Sequence, residues 1–284
     1  MPAPDPLIRN VSDTAHWVAA YRALETDRPD ALFRDPHARK LAGERGVRIA
    51  TSLPGFKRSQ WALVTRTVLF DAFIRDQVAA GADTVVNLAA GLDARPYRMD
   101  LPASLRWVEV DLPDVLDEKE RILAGETPAC ALERVRLDLA DVSARRDLFA
   151  RLSGDSKKTL VVSEGLLIYL APEDVAALAR DLAANGSFQH WAIDIQSPGL
   201  MRMLTSDAGS HLDEARSPFK FAPPEGPPFF VPHGWRATAI RPIHKEAARL
   251  NRLNFWMKLL AMLPDSKGRQ GQKPWAAVCL MERA

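Results

Sequence analysis

A turn rich in small residues follows the first strand-like segment of the chain. The run TVVNLAAG (84–91) is apolar and β-branched, and it leads into the turn NLAAGLD (87–93). In an open α/β sheet a nucleotide-like cofactor usually lies at the first strand-to-helix turn, where small residues let the backbone approach it. Such turns also occur simply where a helix packs on a strand. The dinucleotide fingerprint GxGxxG is missing, because its positions hold Ala89, Gly91 and Ala94, and this disfavours a pyrophosphate ligand.

Acidic residues end the next two strand-like segments. Asp111 lies twenty residues after Gly91 and can accept hydrogen bonds from both hydroxyls of an adenosine ribose. The alternative for Asp111 is the N-cap of a helix that begins beside Pro113. Asp138 can accept from an adenine amino group while the backbone N–H of Leu139 donates to the ring, and capping of the following helix is again the alternative.

A third carboxylate interrupts an otherwise apolar run. Glu164 lies within LVVSEGLLIYL (160–170). An unpaired buried carboxylate is so costly that such a group is normally protonated, paired or functional. At the carboxyl end of a parallel strand, Glu164 would face the same crevice as the turn at 87–93.

Strand-like runs alternate with helical segments through the middle of the chain. This pattern predicts right-handed βαβ crossovers and a doubly wound parallel sheet, an α/β fold of the Rossmann-like type. Two later runs, with a helix at about 245–263 between them, bring the predicted sheet to seven strands. The runs are 84–91, 105–113, 134–140, 159–170, 189–197, 235–242 and 275–283.

Two regions do not fit the alternation, and we interpret both as parts of a single domain, 1–284. Residues 1–80 form a run of helices, predicted as an N-terminal cap on the cofactor-binding core at 84–196. Residues 198–234 begin as a helix and continue into FKFAPPEGPPFFVP, whose five prolines exclude a regular helix or a central strand. Its phenylalanines favour a packed loop, and we predict that this insertion forms a substrate lid. Residues 235–284 supply the final strands and helix.

Composition and charge exclude several classes of protein. Hydrophobic residues make up 47% of the chain and charged residues 26%, which is typical of a globular protein. The 38 basic and 36 acidic residues give a net charge of only +2, which argues against a binder of nucleic acid.

Cysteine usage and hydropathy bear on the location of the protein. Cys130 and Cys279 lie far apart and suggest neither a disulfide framework nor a metal site. The N-terminus has no signal-peptide pattern, and no stretch approaches the ~20 apolar residues needed to cross a bilayer. We therefore expect a cytoplasmic protein without a membrane partner. The sequence does not determine its oligomeric state.

Four motifs in this order resemble the leucine carboxyl methyltransferase-like family of class I S-adenosyl-L-methionine-dependent methyltransferases. They are NLAAGLDARPYR, VEVDLP followed by DEKERIL, VRLDLA and SEGLLIYL. The early segment TAHWVAAYRALETDRPDALFRDPHA and the later HGW are similar to the bacterial O-methyltransferase branch. The resemblance covers nearly the whole chain, and the combination of motifs is specific although each alone is not.

The resemblance implies S-adenosyl-L-methionine as the cofactor and a set of residues that bind it. Arg66 matches the family arginine that holds the methionine carboxylate, a task suited to guanidinium. Ala89 matches a position where the family usually has glycine. The remaining matches are the turn residues Ala90 and Gly91, Asp111 with Leu112 at the ribose, Asp138 with Leu139 at the adenine, and Glu164 near the methionine end.

The predicted activity is methyl transfer to a carboxyl or hydroxyl oxygen of a small molecule. A carboxylate acceptor, with a pKa near ~4, needs no base, whereas a phenol, with a pKa near ~10, does. Tyr169 and His233 are the candidate catalytic residues, each with a structural role as the alternative. An NAD(P)-dependent oxidoreductase and a catalytically silent binding protein are the alternative functions.

Overall fold

A seven-stranded sheet forms the centre of the protein. The structure is a computed structural model that describes residues 11–52, 54–205, 218–263, 271 and 273–284. In these residues the strand order is β3-β2-β1-β4-β5-β7-β6, with β7 antiparallel to both of its neighbours. The bounds are β1 Thr84–Leu88, β2 Arg106–Asp111, β3 Ala131–Arg136, β4 Thr159–Ser163, β5 Phe188–Gln196, β6 Trp235–Pro242 and β7 Ala276–Arg283. The predicted doubly wound, seven-stranded α/β fold is thus confirmed.

Helices cover both faces of the sheet. Their bounds are α1 Val11–Thr26, α2 Ala38–Ser52, α3 Pro54–Ala79, α4 Arg95–Arg98, α5 Pro113–Ile122, α6 Val142–Gly154, α7 Pro172–Ala183, α8 with the described part 198–205, α9 Ile243–Arg249 and α10 Phe255–Ala261. Neighbouring residues of a strand point to opposite faces. Accordingly Val85 packs in one core with Phe70 of α3, and Val86 packs in the other with Phe149 of α6.

The first two helices cover the turn that follows β1. Ala19 and Tyr21 of α1 pack with Leu41 of α2, and Leu92 of the turn belongs to the same apolar cluster. Arg22 of α1 donates from Nη2 to the carbonyl of Leu92 at 2.6 Å. The N-terminal helices α1 and α2 are therefore fastened directly to the turn at 87–93, while α3 lies against the sheet.

The proline-rich stretch is a packed loop, as its phenylalanines indicate. Phe221 and Phe230 are fully buried, and the ring of Phe230 lies 5.5 Å from that of Trp191. A short 3-10 helix runs over Pro227–His233. This half of the insertion contributes to the core, and residues 206–217 of the predicted lid lie outside the described residues.

The helix predicted at 245–263 is interrupted. Asn251 adopts a left-handed backbone with φ 57°, a conformation that asparagine tolerates better than most residues. Asn254 then caps α10, because its Oδ1 accepts from the backbone N–H of Met257 at 2.9 Å. The segment therefore forms two helices, α9 and α10.

A buried ion pair fixes α5 to β2 near the end of that strand. Lys119 Nζ lies 2.6 Å from Glu109 Oε1, and both side chains are fully buried. Arg134 of β3 bonds the other oxygen of Glu109 at 2.9 Å. Because Glu109 lies two residues before Asp111, this pair positions the start of α5 beside the predicted cofactor site.

Removal of the Lys119 ammonium tests this anchor. We expect Lys119→Met to lower the free energy of unfolding by about 2–4 kcal/mol, since loss of one partner leaves a buried carboxylate with only Arg134. Urea denaturation measures the change. The control is Arg121→Met on the same helix, whose exposed pair with Glu118 is worth roughly 0–1 kcal/mol. Equal losses in the two variants would contradict the role of the buried pair.

Candidate functional site

A cleft of about 1810 Å³ opens at the carboxyl ends of the central strands. The strand order reverses between β1 and β4, which is the place where ligands bind in open α/β sheets. All nine residues predicted to bind the cofactor line this cleft. They are Arg66, Ala89, Ala90, Gly91, Asp111, Leu112, Asp138, Leu139 and Glu164.

Asp111 is held in place by backbone donors. Its Oδ2 accepts from the N–H of Gly91 at 2.6 Å, and its Oδ1 accepts from the N–H of Leu112 at 2.7 Å. Burial raises the pKa of Asp111, and the two N–H donors oppose that rise. Helix α5 has no side-chain cap, so the alternative role as an N-cap does not apply. Asp111 lines the cleft, and each of its carboxylate oxygens keeps capacity for a further hydrogen bond.

The turn after β1 needs small residues for two separate reasons. Ala89 and Gly91 both lie in the left-handed region, with φ 52° and 47°. A Cβ on residue 91 would lie 3.3 Å from the Cβ of Ala15, because α1 passes closely over the turn. An L-residue other than glycine is strained in this region. Ala89 therefore adopts a conformation that glycine would adopt without strain.

Asp138 follows β3 and is exposed at the cleft wall. Its Oδ1 accepts from the N–H of Ala140 at 2.9 Å. Asp141 caps α6, since its Oδ1 accepts from the N–H of Ala144 at 3.0 Å. The capping alternative for Asp138 therefore does not apply.

Glu164 is paired with two arginines. Its Oε1 lies 3.0 Å from Arg66 Nε, and its Oε2 lies 2.7 Å from Arg95 Nη2. Arg66 also reaches Asp194 of β5, with 3.2 Å between Nη1 and Oδ2. The turn glycine, Gly165, donates its N–H to the other Asp194 oxygen at 2.7 Å.

Arg95 extends this network to the turn after β1 and to α3. Its Nη1 lies 2.8 Å from Asp93 Oδ2, and its Nε lies 2.7 Å from Asp71 Oδ1. Asn87 donates to the same oxygen of Asp93 at 2.9 Å. Burial alone would raise the pKa of Asp93, but the positive charges of Arg95, Lys119, Arg98 and Arg22 together outweigh it and hold that pKa well below its usual value.

The ionisation of the network follows from burial and pairing. Burial lowers the pKa of the Arg66 guanidinium, but Asp194 and Glu164 outweigh it, so the pKa lies above its usual value. For Asp194 burial dominates and raises the pKa of the carboxyl, against the effect of Arg66.

Glycine is required at position 165 by the approach of Arg66. Gly165 has φ 71°, and a Cβ there would lie 3.3 Å from Arg66 Nη1. The guanidinium of Arg66 therefore packs against the backbone of the turn after β4.

The two candidate catalytic residues lie in different places. Tyr169 lines the cleft, and its hydroxyl has a hydrogen bond with the side chain of Thr14. Burial raises the pKa of Tyr169, which keeps the phenol protonated at neutral pH. His233 does not belong to the residues that line the cleft; it packs on Phe229, and its Nδ1 lies 3.3 Å from Arg180 Nη1.

Three polar or charged residues of the site were not singled out from the sequence. Arg95 follows the turn directly, and Asp194 interrupts the apolar run HWAIDI in the way that Glu164 interrupts its own. The same signal of a carboxylate in a buried strand would have found Asp194. His244 lines the cleft just after β6, but no motif marks it.

Two further searches cover the described residues only. In the parts of the chain that the structure describes, no group of three or more histidine, cysteine, aspartate or glutamate residues could hold a metal ion. Among the helices described, none is both long and apolar enough to pass through a membrane.

Comparison with known proteins places this geometry in a family. The family model for leucine carboxyl methyltransferases matches residues 15–183, which is more than half of the chain. The chain belongs to the leucine carboxyl methyltransferase family. The match includes Arg66, the turn after β1 and the acids at 111, 138 and 164.

Two relatives of this leucine carboxyl methyltransferase family member support the assignment by their sequence identity. A protein of Rhodococcus jostii is 40% identical over 66% of this chain and 67% of its own length. A protein of Streptomyces avermitilis is 34% identical over 79% of this chain and 82% of its own length. Both are provisionally named S-adenosyl-L-methionine-dependent methyltransferases, and this chain is an enzyme of that class, with S-adenosyl-L-methionine as its cofactor.

Solved structures agree on the fold. A DUF574 family protein of Streptomyces avermitilis has a TM-score of 0.58 at 14% identity, covering 94% of this chain and 97% of its own. A methyltransferase of Thermobifida fusca, so named provisionally, has a TM-score of 0.55 at 12% identity and covers 99% and 98% of the two chains. At these identities the likeness concerns the fold.

The left-handed backbone of Ala89 predicts that glycine substitutions at residues 89 and 90 change the free energy of unfolding in opposite directions. We expect Ala89→Gly to raise the free energy of unfolding by roughly 0.5–1 kcal/mol, because relief of left-handed strain exceeds the entropy that glycine adds to the unfolded chain. Ala90→Gly, one residue further and without positive φ, should lower it by roughly 0.5–1 kcal/mol or more. Chemical denaturation distinguishes them, and a loss of stability in both variants would contradict the strain at Ala89.

Proposed function

We propose that the cleft binds S-adenosyl-L-methionine across the carboxyl ends of β1 to β4 and that the enzyme methylates an oxygen of a small molecule. In this proposal Asp111 and Leu112 bind the ribose, and Asp138 and Leu139 bind the adenine. Arg66 and Glu164 lie at the methionine end. The acceptor oxygen belongs to a carboxyl or a hydroxyl group.

The geometry of Asp111 carries the proposal. A ribose presents two neighbouring hydroxyl donors, and a carboxylate with lone pairs toward the cleft accepts both. Asp111 has this orientation because Gly91 and Leu112 hold its two oxygens from the protein side. The small side chains of the turn after β1 leave room for the nucleoside to approach the backbone there.

The ionic network suits the charged end of the cofactor. The methionine moiety carries a carboxylate and an ammonium group beside the sulfonium. Arg66 offers five N–H donors, of which Glu164 and Asp194 engage Nε and Nη1. Glu164 and Asp194 in turn offer carboxylate oxygens to a cation at the same wall of the cleft. The described residues therefore fit both charges.

The contribution of the chain to methyl transfer is positioning and exclusion of water. S-adenosyl-L-methionine, when bound, supplies an electrophilic methyl group on a sulfonium. The protein has to hold the acceptor oxygen in line with the methyl–sulfur bond at near contact distance. Trp17, Trp61 and Phe219 line the cleft and are suited to excluding water from it.

Tyr169 serves in this proposal as a positioning residue. Because burial raises its pKa, the phenol stays protonated at neutral pH and does not act as a base. Its ring packs against Phe219 at 5.6 Å between centroids, which joins the end of the 3-10 turn at Leu167–Tyr169 to the insertion. A carboxylate acceptor requires no base, while a phenol acceptor would require one from His244 or a neighbouring carboxylate.

The alternative functions receive less support. An NAD(P)-dependent oxidoreductase would require room for a pyrophosphate at GxGxxG, and the turn holds alanine at two of the three positions. A catalytically silent protein would need no methyl donor, and detection of methyl transfer to any acceptor excludes it. We also propose a cytoplasmic location, supported by the two free, buried cysteines.

Titration calorimetry with S-adenosyl-L-homocysteine tests the proposed role of Asp111. We expect Asp111→Asn to weaken binding by about 10-fold to 100-fold, because hydrogen bonds to a charged acceptor contribute roughly 1.5–3 kcal/mol. The control Asp114→Asn removes the same charge from an exposed carboxylate in the first turn of α5 and should change the affinity by less than about 2-fold. Equal affinities of wild type and Asp111→Asn would refute the proposed site.

A further inference from the structure

The cleft has an outer part whose walls are apolar. Helix α8 contributes Leu200, Met203 and Leu204, and α10 contributes Met257 and Leu260. These side chains lie beyond the carboxyl ends of the strands, on the side of the insertion and the C-terminal helices. They take no part in the proposed contacts with the cofactor.

The outer part differs from the inner part in charge. The inner wall carries Glu164, Asp194 and Asp93. Among the described residues that α8, α9, α10 and the segment before β7 contribute to the cleft, none is a carboxylate. The cations there are Arg252, which is paired with Glu25 at 2.7 Å, and the exposed Lys273. Among these described residues, no carboxylate thus opposes the nonpolar part of a ligand at this wall.

Several of these apolar side chains face solvent. Leu260 is 64% exposed and Met203 is 46% exposed, although both line the cleft. Exposed apolar side chains that share the lining of one cleft are a surface at which a ligand can bury them. The volume of about 1810 Å³ also exceeds the roughly 300–1,000 Å³ of an ordinary small-molecule pocket. The cleft therefore has room for a second, sizeable ligand next to the cofactor.

We propose that the methyl acceptor is amphipathic, with an extended nonpolar part that lies against α8 and α10 and a polar end that carries the acceptor oxygen toward Tyr169 in the inner part of the cleft. This inference rests on the proposed function. For a carboxylate acceptor, the oxygen–methyl bond forms as the sulfur–methyl bond breaks. The electron pair of the broken bond stays on sulfur, and the products are a methyl ester and S-adenosyl-L-homocysteine with no proton to remove.

The test measures binding as a function of hydrocarbon length. Butanoate, octanoate and dodecanoate, with phenol, 4-butylphenol and 4-octylphenol as a second series, are titrated into protein saturated with S-adenosyl-L-homocysteine. We expect affinity to rise at least about 10-fold from the shortest to the longest member of each series, because each buried methylene contributes. Methyl ester or ether formation from S-adenosyl-L-methionine should follow the same order.

Two variants of α10 separate the cleft wall from the outer surface. Leu260 lines the cleft, whereas Leu259 is 44% exposed and does not belong to its lining. We expect Leu260→Asp to weaken dodecanoate binding by about 10-fold or more, with little effect on butanoate, because the new carboxylate would oppose the hydrocarbon. Leu259→Asp, with the same charge on the same helix, should change both affinities by less than about 2-fold.

The outcomes distinguish this inference from the proposed function. If the protein binds S-adenosyl-L-homocysteine but its affinity for acceptors does not depend on chain length, the amphipathic acceptor is overturned and the proposed function is not. The same holds if Leu260→Asp and Leu259→Asp act equally on dodecanoate. If wild-type protein does not bind S-adenosyl-L-homocysteine, the proposed function itself is overturned.

Discussion

The buried guanidinium of Arg95 is the interaction on which the site depends. It bonds Asp71 of α3, Asp93 of the turn after β1 and Glu164 after β4, and its side chain is only 3% exposed. Burying four such charges is costly unless each is paired. Asp93 after β1 and Glu164 after β4 can be buried side by side because both pair with Arg95, the first residue of α4. Arg66 extends the same pairing from Glu164 to Asp194.

This constraint divides the cleft into regions with different chemistry. On the side of β1, β4 and β5, the paired side chains of Arg66, Glu164 and Asp194 lie beside the turn at Gly165. On the side of β2 and β3, Asp111 is held by backbone donors and keeps capacity for further hydrogen bonds. Beyond both, α8 and α10 add an apolar wall. A ligand with a charged end and a nucleoside end fits the first two regions, and a nonpolar second ligand fits the third.

The strands and the residues at their ends could be predicted from local sequence. Apolar, β-branched runs between helical segments indicate a parallel sheet, and Asp111 and Glu164 stand out as acids at strand ends. The pairing of Glu164 could not be predicted, because Arg66 lies 98 residues away from it in the sequence and the two meet only in the folded chain. The histidine of the insertion illustrates the same limit: His233 packs on Phe229, while His244 lines the cleft. The break between α9 and α10 depends on the backbone of Asn251, which hydropathy does not reveal.

A crystal structure with bound S-adenosyl-L-homocysteine tests the central claim most directly, because it locates the nucleoside and the amino-acid end in one measurement. The account predicts both ribose hydroxyls within hydrogen-bonding distance of Asp111, the adenine beside Asp138 and Leu139, and the homocysteine carboxylate at Arg66. It is contradicted if the nucleoside lies away from Asp111, or if the amino-acid end points toward α10 and away from the network of Arg66, Arg95 and Glu164.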